Sequence, residues 1–558
     1  MTYSNVTEFR DRIIEYLTTE KTNREEDIKA NEQLSDSQKI EEGFLIERAS
    51  VKSSLPPFYD LCVSENNTKL RPGDKVRLIQ GKKSIDVKVI ENTEGILSVE
   101  SNIPLSEIDP YRVEIREFVL LDPLIKLAEQ IEDGAPGSYW MGLLAQLEVP
   151  EKVGFRPIDS SILSLVTLNP EQIECCKNVL NRPSVYCLQG PPGTGKTDVL
   201  ATLANAYSSK GHEVLIISNT HQAVNNALNK IRKFNPNNPV VKIGESLKGE
   251  GLVDGIVMAD SYSNYLSGRK NGKKKKNEKS NDIVGMTFQA AVVNLGLRKS
   301  GFLPSIILVD EAGQMPLSQG ALIGAFGSGT IVLIGDDLQM PPIYHEKLVD
   351  NPLSVSIFTH LCKLYPECKT VLTTTYRMNS EITEMVSKNY YQPHGITLGA
   401  SDFSANRKLK ISANTGDSRI DEILKSEMSI HQIDVSNDDI WEDDNHEEAK
   451  FVADLVKASI DGGLSASDVA VITPYRRQVK AIRAYVREAL GADAELPLID
   501  TVERLQGQDV DMIIISESAT NPGFWKAQET FILNPNRLNV MLSRAKKKVV
   551  IVGRHNII

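Results

Sequence analysis

Cysteine is scarce in this chain, with only Cys62, Cys175, Cys176, Cys187, Cys362 and Cys368 among 558 residues, no C-x-x-C pair and no histidines at zinc-finger spacing. A disulfide-stapled scaffold is excluded at this length. No zinc or iron–sulfur cluster is expected, and the thiols read as reduced and structural, in a cytoplasmic-type compartment with a nuclear location left open. Positive charge is not in excess either: 63 Lys and Arg stand against 74 Asp and Glu, a formal net charge of −11. A protein that coats nucleic acid over its whole surface is therefore not expected, although a narrow basic channel stays compatible with that balance. Long apolar runs are missing. The longest uncharged stretch, Ala312 to Gly335, is interrupted by six glycines, two glutamines, two serines and Pro316, so it reads as a soluble helix and a buried strand rather than a membrane span. Residues 1–12 are polar and carry Glu8, Arg10 and Asp11, so no secretory signal is expected. Thirty-six glycines and 26 prolines are too few for a fibrous or largely disordered chain.

What is present is a chain long enough for three or four domains. Residues 8–50 are highly charged with apolar residues at helical spacing (Ile13, Ile14, Leu17, then Ile40, Phe44, Leu45), which predicts one or two long exposed helices. From about Val51 short alternating runs are separated by turn residues such as Arg71-Pro72-Gly73-Asp74, the pattern of a small β-barrel. Helical periodicity returns over Asp122 to Glu132. Beyond Leu168, apolar strands alternate with helical patterns: Val185–Leu188, Val214–Ile217, Ile306–Val309 and Ile331–Ile334, then Val469–Thr473, Met512–Ser516 and Val549–Val552. That alternation predicts an α/β fold with two parallel-sheet domains in series. The expected division is stalk helices at 1–50, barrel at 51–120, returning stalk at 121–160, a first sheet domain at 161–355 with a basic insertion at 245–282, and a second at 356–558. Gly268 to Ser280 is rich in lysine and Asn437 to Glu448 in acid. Both fit solvated surface, and the basic run equally fits a loop that attracts polyanions.

The sharpest local pattern is Gly190-Pro191-Pro192-Gly193-Thr194-Gly195-Lys196-Thr197, which follows a strand and opens a helix. Glycines there let backbone N–H groups converge on phosphates at a helix N-terminus, Lys196 adds a point charge, and the Thr197 hydroxyl suits Mg²⁺. A triphosphate site also needs a metal-holding carboxylate. Asp310-Glu311 follows the strand Ile306–Val309, where Asp310 would hold Mg²⁺ and Glu311 would deprotonate the attacking water.

These residues, with Asp310-Glu311-Ala312-Gly313 followed by Gly335-Asp336-Asp337-Leu338-Gln339-Met340-Pro341-Pro342, resemble motifs II and III of superfamily 1 helicases. Thr375-Tyr376-Arg377-Met378, Val471 to Arg476, Thr501-Val502-Glu503 with Gln506-Gly507, and Asn539 to Lys546 follow in that family's order, over roughly two-thirds of the chain. Together they are most similar to the branch with the nonsense-mediated decay helicase and the replicative helicase–nuclease. The helix–barrel–helix start resembles that branch's accessory barrel and stalk.

The resemblance implies two tandem RecA-like domains, ATP and Mg²⁺ as cofactors, and 5′-to-3′ movement on single-stranded DNA or RNA. By position, Gln172 would read the adenine edge and Tyr376 would stack on the base. Gly507 and Asp509 would lie at the nucleotide, Gln339 would sense the γ-phosphate, and Arg377 and Arg544 would reach it from the second domain. Asn219, Thr220, His221, Thr287 and Phe288 would contact nucleic acid from the first domain, and Pro474, Tyr475, Arg476, Thr501 and Val502 from the second. Thr375, Leu505, Asp509 and Ser543 depart from the family pattern, and Asp509 shortens a carboxylate that would meet the ribose. The decay helicase's zinc-rich domain, the helicase–nuclease's cluster cysteines and a nuclease domain have no counterpart in this sequence, so a nuclease or adaptor protein is a possible partner. Two alternatives stand beside a helicase: a nucleic-acid-stimulated ATPase that displaces bound protein without unwinding, and a P-loop ATPase unrelated to nucleic acid.

Overall fold

Apolar residues spaced three and four apart put one stripe on the helix Val6–Glu32, which Asn5 caps by accepting a bond from Glu8 N (2.8 Å). In this computed structural model the stripe is not exposed: Phe9, Ile13, Tyr16 and Leu17 are buried against the first sheet domain, each worth ~1.5–3 kcal/mol of burial. That is why the stalk docks along one face instead of standing free. The described residues are 3–557 except 64–65, 69, 71–72, 94, 116–120, 154–159, 161–162, 164–165, 246–248, 250, 269–279, 295, 328, 437–439, 492–493, 506 and 556. The lysine-rich run, part of the acidic run and Gln506 thus lie outside the description.

Six antiparallel strands close a barrel in the order β1-β2-β5-β4-β3-β6. They are β1 Leu45–Leu55, β2 Phe58–Val63, β3 Lys75–Gln80, β4 Lys83–Thr93, β5 Ile96–Glu100 and β6 Tyr111–Ile115. The barrel starts at Leu45 rather than at residue 51, because Leu45 and Ile46 pair with Glu114 and Val113 and bury their side chains. The chain then returns through the helices Asp122–Glu129 and Ser138–Leu144. Lys21 of the first helix holds Asp122 at 2.7 Å.

The first sheet domain has eight parallel strands in the order β10-β9-β11-β8-β12-β13-β7-β14. They are β7 Val185–Gln189, β8 Val214–Ser218, β9 Val240–Ile243, β10 Ile256–Ala259, β11 Ile283–Thr287, β12 Ile306–Val309, β13 Thr330–Gly335 and β14 Lys369–Val371. Alternate residues enter different cores: Val185 and Cys187 face the stalk side, Tyr186 and Leu188 the opposite side. Burial on both faces explains the continuous apolar runs in the sequence. Two expected boundaries shift. The domain continues past residue 355, since the helix Ile357–Leu364 packs into its core and β14 pairs with β7. The stretch 245–282 is not wholly an insertion, since it supplies the edge strand β10.

After a two-strand pair, β15 Thr374–Thr375 and β16 Gly399–Ala400, comes a second parallel sheet in the order β17-β21-β20-β18-β19. Its strands are β17 Ile430–Ile433, β18 Val469–Ile472, β19 Leu498–Asp500, β20 Val510–Ser516 and β21 Ala545–Val552. The chain is α/β, with two tandem RecA-like domains and an N-terminal barrel and stalk.

Candidate active site between the two sheet domains

The phosphate loop leaves the buried end of β7, where Gly190 N donates to Gly335 O at 3.0 Å and so fixes the loop beside β13. Thr194 closes it with a hydroxyl bond to Pro191 O (2.8 Å), and Pro191 and Pro192 stiffen it. Glycine is required at Gly195, whose φ is +82° and whose Cβ would lie 2.4 Å from Gln172 Nε2. The helix Lys196–Ser209 then begins, with Thr197 in its first turn. Lys196 Nζ turns back onto Gly190 O, which places its charge over the loop.

Asp310 emerges from the end of β12 and is buried. Burial, and then the neighbouring charge of Glu311, push its carboxyl up to about 7, opposed by Lys196. A buried carboxylate with a raised proton affinity suits a divalent cation, whose charge would offset both causes. Glu311 adopts a left-handed φ of +55°; such strain in a non-glycine residue is characteristic of functional sites. Its carboxylate accepts a bond from Gln314 Nε2 (3.2 Å).

Several groups of the second domain close over this loop. Thr375 Oγ1 donates to Pro192 O (2.9 Å) and Tyr376 N to Gly193 O (2.8 Å). The Tyr376 hydroxyl accepts a bond from Asn169 Nδ2 (3.1 Å), with the residue 37% exposed, so part of its ring stays open to a base. Arg377 runs inward to Ser543 O (3.2 Å). Arg544, buried, donates from Nη2 to Gln339 Oε1 at 2.8 Å across the cleft. Burial, then the charge of Arg377, lower its guanidinium to about 10. Two cations are thus held close together in a dry seam, an arrangement that favours an anion between them. Asp509 pairs with Lys546 (3.0 Å). Gly507 approaches the first domain's helix His221–Phe234, where an added Cβ would lie 3.6 Å from Gln222 Nε2.

Gln172 differs from expectation. Its Oε1 accepts from Asn169 N (2.9 Å) in a capping box, and its Nε2 donates to Thr194 O (3.0 Å). The side chain buttresses the phosphate loop, leaving one Nε2 hydrogen for a base edge.

The residues expected at nucleic acid follow the C-terminal ends of β8, β11, β18 and β19, the ends where parallel sheets build sites. Asn219 Nδ2 bonds Gln314 O (3.0 Å), tying this rim to the loop after Glu311. Thr220 caps the helix that His221 begins, Thr287 caps the helix Phe288–Val293, and Arg476 is exposed beside half-buried Pro474. Two expectations are corrected. Phe288 is wholly buried and meets Phe326 edge-on at 6.3 Å, and Val502 lies in the second domain's core; only their backbones can touch a strand. Both follow a capping residue or a strand end, where the first apolar side chain turns inward. Thr501 is buried, and Tyr475 packs against Phe524 with ring centroids 5.6 Å apart.

Sequence reasoning missed Arg477, which pairs with Glu41 of the helix Asp36–Glu42 and with Asp443 at 3.5 Å, linking this rim to the stalk. It also gave Asp336 no role, although Gln339 Nε2 donates to its Oδ2 at 2.7 Å. The adjacent acids after β13 were the available signal.

Models described as AAA domains match residues 167–353 and 353–556. Among curated proteins, the DNA replication ATP-dependent helicase/nuclease JHS1 of Arabidopsis thaliana is 26% identical over 71% of this chain and 29% of its own length. DNA2 of Saccharomyces cerevisiae, with the same description, is 28% identical over 69% of this chain and 26% of its own. The Homo sapiens DNA2 is 25% identical over 87% and 48%. This chain therefore spans between about a quarter and a half of those relatives. A solved structure, the Arterivirus nonstructural protein 10 (helicase), shares 13% identity at a TM-score of 0.39, covering 93% of this chain and 80% of that one.

Proposed function

Since this chain carries a superfamily 1 helicase core, we propose that it is an ATP-driven helicase that steps 5′ to 3′ along single-stranded nucleic acid. The names of the relatives favour DNA over RNA. The observation that carries this reading is the buried Arg544–Gln339 bond, 2.8 Å long, which joins the second domain to the phosphate-binding domain. A guanidinium buried there from the second domain gives a phosphate site that only the two domains together complete, as a two-domain motor requires.

The residues divide the work. Backbone N–H groups of Gly193 to Lys196, with the Lys196 charge, would hold the phosphates. Thr197 and Asp310 would hold Mg²⁺, which supplies neutralisation of the phosphate oxygens. Glu311 would take the proton of the attacking water, and Gln339 would sense the γ-phosphate. Arg377 and Arg544 stabilise charge building on the transferring group, an effect worth about 10³–10⁵ in rate. Because those arginines belong to the second domain, turnover requires closure, and alternating grip by the two rims would turn closure into a step. Contacts from hydroxyl, amide and backbone groups position a strand without reading its sequence.

A nuclease or adaptor acting on the same strand is the partner class we propose. Free thiols at all six cysteines suit a reducing compartment, cytoplasmic or nuclear. Among the described residues no helix is long and apolar enough to cross a membrane, and no group of three or more ligating side chains marks a zinc site. The test is ATP turnover with single-stranded DNA and RNA in parallel, then unwinding of duplexes carrying a 5′ or a 3′ overhang and displacement of streptavidin from biotinylated strands. Stimulated turnover with 5′-overhang unwinding supports the reading. Displacement without unwinding would favour a protein-removing motor, and turnover indifferent to any polynucleotide would overturn the reading.

A further inference from the structure

Tyr391 lies at the end of a π-helical turn, Ser387–Tyr391, that follows the second domain's helix Ser380–Val386. Its hydroxyl crosses the cleft and donates to Asp336 Oδ2 of the first domain at 2.6 Å. That same oxygen accepts Gln339 Nε2 at 2.7 Å, while Asp336 Oδ1 takes Leu338 N at 3.2 Å. The tyrosine is fully enclosed, and burial, then the Asp336 charge, hold its hydroxyl well above the usual phenol range, so it stays a donor.

The bonding leaves no freedom of sense. A carboxylate can only accept, so the single Tyr391 hydrogen goes to Asp336, and Tyr391 Oη must accept the bond from Asn539 Nδ2 (2.9 Å). For the same reason Gln339 must present Nε2 to Asp336, and its Oε1 is then the atom that receives Arg544. Asn539 also donates to Leu338 O at 2.6 Å, and it sits on Pro535–Leu542, the helix that leads into Arg544.

We infer that Tyr391 is a positioning residue that sets the orientation of the Gln339 amide through Asp336, and does so only when the second domain is seated. Its hydroxyl is enclosed between Asp336 and Asn539, so it acts through Asp336 rather than on a ligand. Its hydroxyl makes domain seating and the direction of the Gln339 amide one event, so that Arg544 and Gln339 become competent together. This rests on the ATPase reading for its kinetic consequence, while the bond itself does not.

Tyr391→Phe removes one oxygen and keeps the ring. Wild-type turnover with single-stranded DNA is measured first, and its absence would count against the ATPase reading alone. Given turnover, the variant should lose about tenfold to a hundredfold in kcat, the effect of one buried bond to a charged group, with KM for ATP changed by less than about twofold. In a Gln339→Ala background the same substitution should cost less than about twofold. Unchanged kcat, or equal losses in both backgrounds, would overturn the inference. A second measurement needs no catalysis: amide hydrogen exchange at Leu338 and Gln339 should accelerate about tenfold or more in Tyr391→Phe while the strands of both sheets keep their protection. Unchanged exchange at those two amides would also overturn it, and loss of protection throughout the second domain would show instead that the hydroxyl is purely structural.

Discussion

Lys242 is the least expected single residue in the first domain. It stands on β9 with no exposed surface, and its ammonium donates to Asn225 Oδ1 at 2.8 Å. The paired residue on β11 is Gly285, where a Cβ would come within 2.9 Å of Leu228, so the helix His221–Phe234 lies close over both strands. Burial drives the Lys242 amine down to about 7. In the unfolded chain it titrates near 10.4. Between those values the unfolded state holds the extra proton, so stability rises with pH from 7 to 10 and is flat below 7, where both states are protonated. Lys242→Met removes this dependence. The stability of the wild type relative to the variant should grow by about 2–4 kcal/mol between pH 7 and pH 10 in urea denaturation of the first domain. A difference independent of pH would show that the amine is charged when folded. Nothing in the run Val240–Ile243 announces this, since a lysine in a short apolar strand reads as an edge residue turned to solvent.

Between elements, the closest approach is that of the phosphate loop and the segment Thr375–Arg377. Gly193 has a φ of +73°, and a Cβ there would lie 2.5 Å from Arg377 Cβ and 2.7 Å from Thr375 Oγ1. Gly193→Ala therefore strains the loop by about 1 kcal/mol and also pushes the second domain off it. Its kcat should fall about tenfold or more through lost alignment, beyond any change in KM, in steady-state turnover; a change confined to KM would place the defect in nucleotide binding alone. The loop was legible in the sequence because glycine, lysine and threonine spacing is set by local backbone chemistry. Strands β7, β12 and β13 were legible because burial on both faces leaves continuous apolar runs. The three-residue β14 is only partly buried, so it carries no such run and the end of the first domain is not visible in the sequence. Phe288 and Val502 read as contacts for a related reason: a motif marks where a backbone passes, while the direction of its side chain depends on packing that spacing does not record.

Over the whole molecule the chain is acidic, with a net charge of −11, and its cations are spread over stalk, barrel and second domain in ion pairs such as Lys21–Asp122, Arg77–Asp86 and Lys457–Asp461. Arg477 joins a rim to Glu41 of the stalk, so the N-terminal elements and the second domain share a charge at the expected nucleic-acid contact. Binding of a phosphate there competes with Glu41 and Asp443. Glu41→Gln should tighten single-stranded DNA binding about twofold to fivefold at low salt, an effect that screening removes at high salt; titration at two salt concentrations measures it, and equal affinity at low salt would remove the stalk from that contact. The order of motifs made the two-domain motor legible, whereas this link joins residues 436 positions apart and could be read only from the fold. Hydrolysis at the seam between the domains is tested by the turnover of Arg544→Ala with saturating ATP and single-stranded DNA. The variant should bind ATP with affinity within about threefold of the wild type and turn it over about a thousandfold more slowly; turnover within about twofold of the wild type would place the chemistry within the first domain alone.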